Sequence, residues 1–339
     1  MGVLADDFPK VRCGVLAVRV SRKRYNLSFF GFRMRVFRGF SSSVSAPTVL
    51  AVGNFDGVHR GHGALIERLV AVADLRRLTP TVLTFEPHPR EFFAPDSAPA
   101  RLTTLREKLE LLAECGARQA MVCRFDADFS ALEADAFIER VLVQGLKVAH
   151  LVIGDDFRFG RGRRGDFALL ERAGADSGFT VEAMPSVVVD GERVSSSGVR
   201  DALGAGNMER AARLLGRPYM IDGRVVQGDK IGRQLGFRTA NIRIKHNPLP
   251  MTGVYCVEVS GLGERPLPGV ANLGIRPTLG GTRPLLEIHL FDFDRDIYGA
   301  HLAVRFVHKL RDERRFPDFD ALKAQIAADA AVARAYFKL

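Results

Sequence analysis

The sequence predicts an α/β protein of two modules, a helix-flanked parallel sheet followed by a small antiparallel β-barrel with a C-terminal helix. Three observations predict it. Between Pro47 and Ile153, short β-branched runs alternate with segments of helical period, the pattern of a parallel sheet. After about residue 202, strand-like runs come closer together, separated by glycine- and proline-rich turns, as in a small barrel. Phe319–Tyr336 is alanine-rich and periodic, a helix placed to cover that barrel. A chain of 339 residues has the length of two ordinary domains.

Taken in order, Pro47–Val52 reads as a buried strand ending at Gly53. A glycine-punctuated turn, Asn54-Phe55-Asp56-Gly57-Val58-His59-Arg60-Gly61-His62, leads to a helix over Gly63–Leu78, where Leu65, Ile66, Leu69, Val70 and Val72 mark one face. Thr81–Phe85 is the next strand, closed by Pro87 and Pro89. Leu105–Glu114 is helical, Ala120–Phe125 a strand, Ala134–Leu142 helical and Val148–Ile153 a strand. A glycine- and arginine-rich loop spans Gly154 to Gly165. In the second module, Met208–Leu215 is helical and Val225–Gln227, Val254–Val259, Leu285–Phe291 and His301–Leu310 are strands.

The net charge of +10 invites a nucleic-acid reading, and its location argues against one. Residues 1–46 hold nine Lys and Arg against Asp6 and Asp7, a local charge of +7, which leaves +3 for the rest. From Phe8 to Pro47 there is no acidic residue, a composition shared by mitochondrial transit peptides. The preferred alternative is a natural start at Met34, with residues 1–33 an upstream extension outside the fold. Module boundaries are then expected at 34–202 and 203–339. No run approaches the length of a membrane helix. Cys13, Cys115, Cys123 and Cys256 form no C-x-x-C pair, and buried thiols in a reducing, cytoplasmic compartment are expected.

The turn at residues 53–62 carries the first chemistry. It places His59 and His62 at a helix N-terminus, where backbone N–H groups and the helix dipole favour an anion. Gly53, Gly57 and Gly61 let the backbone come close to a phosphate. An isolated H-x-G-H would be an ordinary βα turn with surface histidines. The whole string G-N-F-D-G-V-H-x-G-H, however, resembles the signature of the prokaryotic-type FAD synthetases, members of the nucleotidylyltransferase superfamily. Thr84-Phe85-Glu86-Pro87-His88-Pro89, Gly154-Asp155-Asp156-Phe157-Arg158-Phe159-Gly160 and Val194-Ser195-Ser196-Ser197-Gly198-Val199-Arg200 resemble three further stretches of that family. The last has Ser197 where threonine is usual, which keeps the hydroxyl.

The resemblance implies a Rossmann-like first module. In it His59 and His62 contact ATP phosphates, with Gly53, Asn54, Phe55 and Gly61 lining the pocket. Ser196, Ser197 and Arg200 bind the triphosphate from the far side, and Asp156, Phe157 and Arg158 hold FMN or adenine. Asp56 is either part of this nucleotide site or a turn cap. The implied reaction needs no general base. The phosphate of FMN, already an anion, attacks the α-phosphorus of ATP and releases pyrophosphate, and Mg²⁺ neutralises part of the charge.

The second chemistry lies in Gly228–Ile242, which combines glycines with a hydroxyl and an amide but lacks a Walker A loop. By composition alone it is a glycine-rich hairpin. Gly232-Arg233-Gln234-Leu235-Gly236-Phe237-Arg238-Thr239-Ala240-Asn241 nevertheless resembles the G-R-x-L-G-F-P-T-A-N motif of riboflavin kinases. Gly269–Thr278 and Leu286–Phe293 resemble that family's G-V-A-N-x-G-x-R-P-T and L-E-x-H-x-F-D-F. The resemblance implies that Gly232, Gly236 and Asn241 approach ATP, that Thr239 and Asn241 bind Mg²⁺, and that Glu287 takes the proton of the riboflavin 5′-hydroxyl as it attacks the γ-phosphorus. His289 lies two residues on, facing the same side.

Arg238 departs from the pattern, where proline would stiffen the loop. The leading expectation is one enzyme that makes FMN from riboflavin and FAD from FMN, using ATP each time. An adenylyltransferase whose kinase module is impaired at Arg238 is the alternative. A flavin-binding regulator with both sites decayed is a third reading, opposed by the joint presence of His59, His62, Thr239 and Glu287.

Overall fold

A computed structural model describes residues 25–29, 32–39, 44–227, 237–244, 246, 248–278 and 281–339. The first module is a seven-stranded sheet. Its strands are β1 (Tyr25–Phe29), β2 (Phe32–Arg38), β3 (Thr48–Val52), β4 (Thr79–Glu86), β5 (Gln119–Arg124), β6 (Val148–Gly154) and β7 (Thr180–Met184), in the order β1-β2-β5-β4-β3-β6-β7. All neighbours are parallel except β1, which pairs antiparallel with β2. Tyr25–Phe29, which lie in the segment set aside from the fold, thus form an edge strand.

All five residues of β3 are buried, as a central parallel strand requires. The chain leaves β3 towards β4 and β5 on one side and returns to β6 on the other. The C-terminal ends of β3 and β6 therefore diverge into a crevice, the place where open α/β sheets bind ligands.

Helix α1 (Arg60–Arg76) starts there and packs Leu65, Ile66, Leu69 and Val72 on the sheet. Helix α2 (Leu105–Glu114) is opened by a reciprocal cap, in which Thr104 accepts from Glu107 N and Glu107 accepts from Thr104 N. The helical stretch Ala134–Phe137 continues as a π-helical turn over Ile138–Gly145. Helix α3 (Phe167–Ser177), capped by Asp166, leads into β7. A two-residue hairpin, β8 (Val188–Val189) with β9 (Glu192–Arg193), precedes α4 (Ser196–Gly204) and α5 (Met208–Leu215). Helix α4 crosses the boundary expected between residues 202 and 203.

Strands β10 (Tyr219–Val226), β11 (Ala240–Arg243), β12 (Gly253–Ser260), β13 (Leu267–Thr278), β14 (Gly281–Leu290) and β15 (His301–Arg311) close an antiparallel barrel in the order β10-β11-β14-β13-β12-β15. Ile221, Ile242, Val257, Leu286, Val304 and Phe306 fill it and join one core with Val199, Leu203 and Leu214 of α4 and α5. Helix α6 (Phe319–Phe337) lays Ala330 and Ala333 on the outer face against Val254, Cys256 and Val270. Arg311 grips Asp329 of that helix through Nε and Nη2, the latter at 2.7 Å.

The modules are also pinned by buried polar contacts. Glu107 accepts from the N–H of Asp222 at 2.9 Å and faces His246 Nε2 at 3.4 Å, and Tyr219 donates to the carbonyl of Leu102. Among the described residues Cys115, Cys123 and Cys256 are free thiols, while Cys13 lies outside them. No helix among the described residues is long and apolar enough to cross a membrane.

Candidate active sites

At the crevice, the turn after β3 is strained. Phe55, Gly57 and Val58 all have positive φ (50°, 81° and 40°), and for a β-branched residue such as Val58 this conformation is costly. Two devices hold it. Phe55 is fully buried beneath the turn. Arg217, from the chain just before β10, donates to the carbonyls of Gly57 at 2.7 Å and Val58 at 2.9 Å. A Cβ on Gly57 would meet Leu102 Cδ1 at 2.7 Å, so only glycine serves at that point.

His59 then caps α1, its Nδ1 accepting from His62 N at 3.3 Å, which fixes the proton of a neutral ring on Nε2. The His59 and His62 rings stack with centroids 3.7 Å apart, and Phe55 packs edge-on to His62 at 5.2 Å. Burial, only partly opposed by Asp56, lowers the pKa of His59 to about 4. Burial, with His59, Lys108 and Arg217 adding to it, holds His62 well below the usual imidazole range. At neutral pH the pair is uncharged, so each ring can offer only a neutral N–H as a donor. His62 Nδ1 is buried without a hydrogen-bond partner.

The structure brings the third and fourth motifs to the same crevice. Ser195 caps α4, and Ser196 donates to the carbonyl of Asp56 at 2.9 Å. Ser197 is exposed at the first turn of that helix. Arg200 donates to the carbonyl of Ala100 at 2.6 Å and makes a close ion pair with Asp56. The Asp56 carboxylate also accepts from Leu102 N, Thr103 N and Thr103 Oγ1, so it clasps the loop over residues 100–103. Its capping role is therefore filled within the protein.

Asp156, Phe157 and Arg158 stand at the end of β6. Asp156 pairs with Arg193 at 2.8 Å, Arg158 with Asp166 at 3.2 Å, and Phe157 stacks on Phe159 with centroids 5.6 Å apart. Asn54 holds Thr84 of the T-F-E-P-H-P stretch, accepting from its hydroxyl at 3.2 Å. In that stretch His88 Nδ1 accepts from Arg90 N, and Arg101 forks Glu86 at 2.8 and 3.1 Å while gripping Glu91. Gly53 closes β3, its N–H bonded to the carbonyl of Leu83, and Gly61 sits against the His59 ring.

The second set lies on the outer face of the barrel. Asn241 of β11 is the direct register partner of Glu287 of β14, which is also opposite Asn272 of β13, so these three side chains share one face. Asn241 is buried, and its Oδ1 has no hydrogen-bond partner. Asn272 donates to Glu313 at 3.3 Å. Thr239 and Asn241 line a cavity of about 190 Å³ with Phe293, Arg295 and Tyr298.

Arg238, in the proline position, is restrained in two ways. Its carbonyl accepts from His289 Nδ1 at 2.9 Å, and its guanidinium makes a close ion pair with Asp294. These contacts tether the segment that a proline would stiffen. Gly232 and Gly236 lie outside the described residues. The resemblance in the sequence did not point to Arg217 or to the Asn272–Glu313 contact. Both arise where distant segments meet.

Fold and sites together define a two-module transferase: a crevice at the switch point of a parallel sheet, edged by a helix N-terminus and two neutral imidazoles, and an oxygen-donor and carboxylate face on a barrel. Comparison with known proteins places it. Residues 41–198 match the sequence model of FAD synthetase and residues 215–337 that of riboflavin kinase. A bifunctional riboflavin kinase/FMN adenylyltransferase of Escherichia coli K12 is 51% identical over 309 residues, covering 90% of this chain and 99% of its own. The proteins of the same description from Haemophilus influenzae and Pseudomonas fluorescens are 45% and 49% identical, covering 90% and 85% of this chain and 99% and 92% of their own. A solved structure from Streptococcus pneumoniae described as a macrolide-efflux protein superposes with a TM-score of 0.75 at 27% identity, covering 88% of this chain and 98% of its own.

The chain belongs to the bifunctional riboflavin kinase/FMN adenylyltransferase family. It is an enzyme with both activities in one polypeptide.

Proposed function

We propose that the two reactions are divided between the two sites: adenylyl transfer from ATP to FMN at the β3–α1 crevice, and phosphorylation of riboflavin on the outer face around Asn241 and Glu287. One observation carries this division. Among the described residues, the FAD synthetase motifs lie around the crevice and the riboflavin kinase motifs on the barrel, with no residue shared.

At the crevice, the Nε2–H of His59 and the ring of His62 donate to the α- and β-phosphates of ATP. The N-terminus of α1 and the exposed Ser197 add further donors. Asp56, Ser196 and Arg217 hold the turn in shape rather than meet the nucleotide. Phe157 offers a face for an aromatic ring, and Asp156 and Arg158 flank it. FMN brings an ionised nucleophile, so alignment and charge stabilisation supply the rate.

At the barrel, Glu287 receives the proton of the riboflavin 5′-hydroxyl. Asn241 Oδ1, a buried oxygen without a partner, and the Thr239 hydroxyl two residues earlier suit a hard divalent cation, and these two residues would hold Mg²⁺. When bound, Mg²⁺ supplies charge neutralisation for the phosphate oxygens. No cluster of three His, Cys, Asp or Glu that would form an all-protein metal cage occurs among the described residues, which fits a cation shared with a nucleotide. ATP is the co-substrate of both steps, riboflavin and FMN are the flavin substrates, and the cytoplasm is the compartment of action.

A His59→Ala/His62→Ala double variant tests the division. It is expected to form FMN from riboflavin at the normal rate and to form no FAD. Equal loss of both products would contradict it.

A further inference from the structure

Adenylyl transfer concentrates negative charge, yet the imidazoles at the crevice are neutral and Arg200 is committed to Asp56. Lys108, on the first turn of α2, is only 3% exposed, and among the described residues its ammonium has a single hydrogen-bond partner, Thr84 Oγ1 at 3.5 Å. Thr84 is itself fully buried and spends its proton on the carbonyl of Asn54, in the turn that carries the histidines.

The nearby carboxylates are already taken. Asp56 is bound by Arg200, Leu102 and Thr103, and Glu86 and Glu91 by Arg101. His88, also beside Lys108, uses Nδ1 to accept from Arg90 N and so presents its Nε2–H. Burial, against the pull of Asp56 and Glu86, lowers the pKa of the ammonium from its usual value. A buried ammonium held by one long hydrogen bond is costly, and such a cost is kept where an anionic ligand completes the site.

We propose that Lys108 is a catalytic residue of adenylyl transfer whose ammonium binds the oxyanions of the reacting phosphates, with the Nε2–H of His88 as a second donor. This rests on the reading of the crevice as the adenylyl-transfer site. A phosphate oxygen of FMN forms the new bond to the α-phosphorus of ATP as the bond to the β-phosphate oxygen breaks. The electron pair leaves with pyrophosphate, and no proton is transferred. Lys108 meets the charge on either the FMN phosphate or the α-phosphate, and the two contacts differ in what they change.

The test is full-length Lys108→Met, which keeps the length and loses the charge, beside His62→Asn as a reference variant. FAD formation from FMN and ATP, FMN formation from riboflavin, and Tm are measured on each. Lys108→Met is expected to lower kcat/KM for FAD formation by about 10²–10³-fold, leave FMN formation unchanged, and keep or raise Tm, because an uncompensated buried charge is gone. A rise in KM for FMN alone locates the contact on its phosphate. A fall in kcat at unchanged KM locates it on the α-phosphate in the transition state.

FAD formation within threefold of normal in Lys108→Met, with His62→Asn inactive, would overturn the role of Lys108 and leave the site reading intact. Normal FAD formation in both variants would overturn the site reading as well. A lowered Tm with equal loss of both activities, in Lys108→Met and again in Lys108→Gln, would make the ammonium a structural element and overturn the proposal.

Discussion

Arg217 offers a quantitative test of how the second module shapes the first. Its guanidinium bonds to two buried carbonyls, Gly57 at 2.7 Å and Val58 at 2.9 Å, in a turn whose backbone is strained at Phe55 and Val58. Hydrogen bonds from a charged donor contribute about 1.5–3 kcal/mol each, and a buried carbonyl left without a partner costs about 1–3 kcal/mol. Arg217→Met removes both bonds while keeping much of the apolar stem. Even the lower part of that range, about 2 kcal/mol spent on relaxing the turn, lowers the population of the aligned His59–His62 pair about 30-fold. The expected result is a loss of about that size in FAD formation, read by product chromatography with FMN and ATP, while FMN formation from riboflavin is kept. The effect belongs mainly to kcat, since the turn aligns groups rather than contacting flavin. Normal FAD formation in Arg217→Met, or an equal fall in both activities, would refute this reasoning.

Three further outcomes follow from particular contacts. His59 is neutral in the fold with a pKa of about 4 against 6.5 in the unfolded chain, so the unfolded state binds the extra proton between those values. The stability tied to this group is fully present above pH 6.5 and is lost as pH falls towards 4, by about 3 kcal/mol in total, so urea denaturation of His59→Asn should show a flatter profile across that window. Asp222 behaves oppositely: burial and the neighbouring Glu107 raise its pKa to about 7, so its ionisation opposes folding increasingly from pH 3.8 to 7 and fully above. Asp222→Asn is therefore expected to raise Tm more at pH 8 than at pH 5, and an equal rise at both would contradict the assignment. Asp329→Ala leaves Arg311 without its carboxylate against α6; a loss of about 2–4 kcal/mol by urea denaturation is expected, with FAD formation from FMN unchanged.

Much of this was legible in the sequence, and what was not has physical causes. The turn at residues 53–62, the helix Leu105–Glu114 and the strands around Val148 and His301 carry strong periodicity or glycine punctuation, and they appear where expected. β13 was hidden because Pro268, Gly269, Gly274 and Pro277 look like turn residues. It persists because it is bonded on both sides, to β12 and β14, and because Gly274 lies under Glu313, where a Cβ would collide. α3 has no counterpart among the expected elements: the loop expected over Gly154–Gly165 ends one residue before Asp166, the cap that opens this helix. β2 does alternate apolar residues with arginine from Phe32 to Val36, but it straddles Met34, which reads as the start of the chain, so the strand is not among the expected elements. Within the sites, the motif residues announced themselves by spacing. Lys108 and Arg217 did not, because their meaning lies in burial and in partners 24 and 160 positions away.

The division of labour between crevice and barrel is tested most directly by complementation. Glu287→Gln alone should make FAD from FMN but no FMN from riboflavin, and His59→Ala/His62→Ala alone should stop at FMN. Mixed in one tube with riboflavin, ATP and Mg²⁺, the two variants should together restore FAD, with FMN passing from one to the other. A mixture that yields no FAD, although each variant keeps its Tm, would contradict two separate sites.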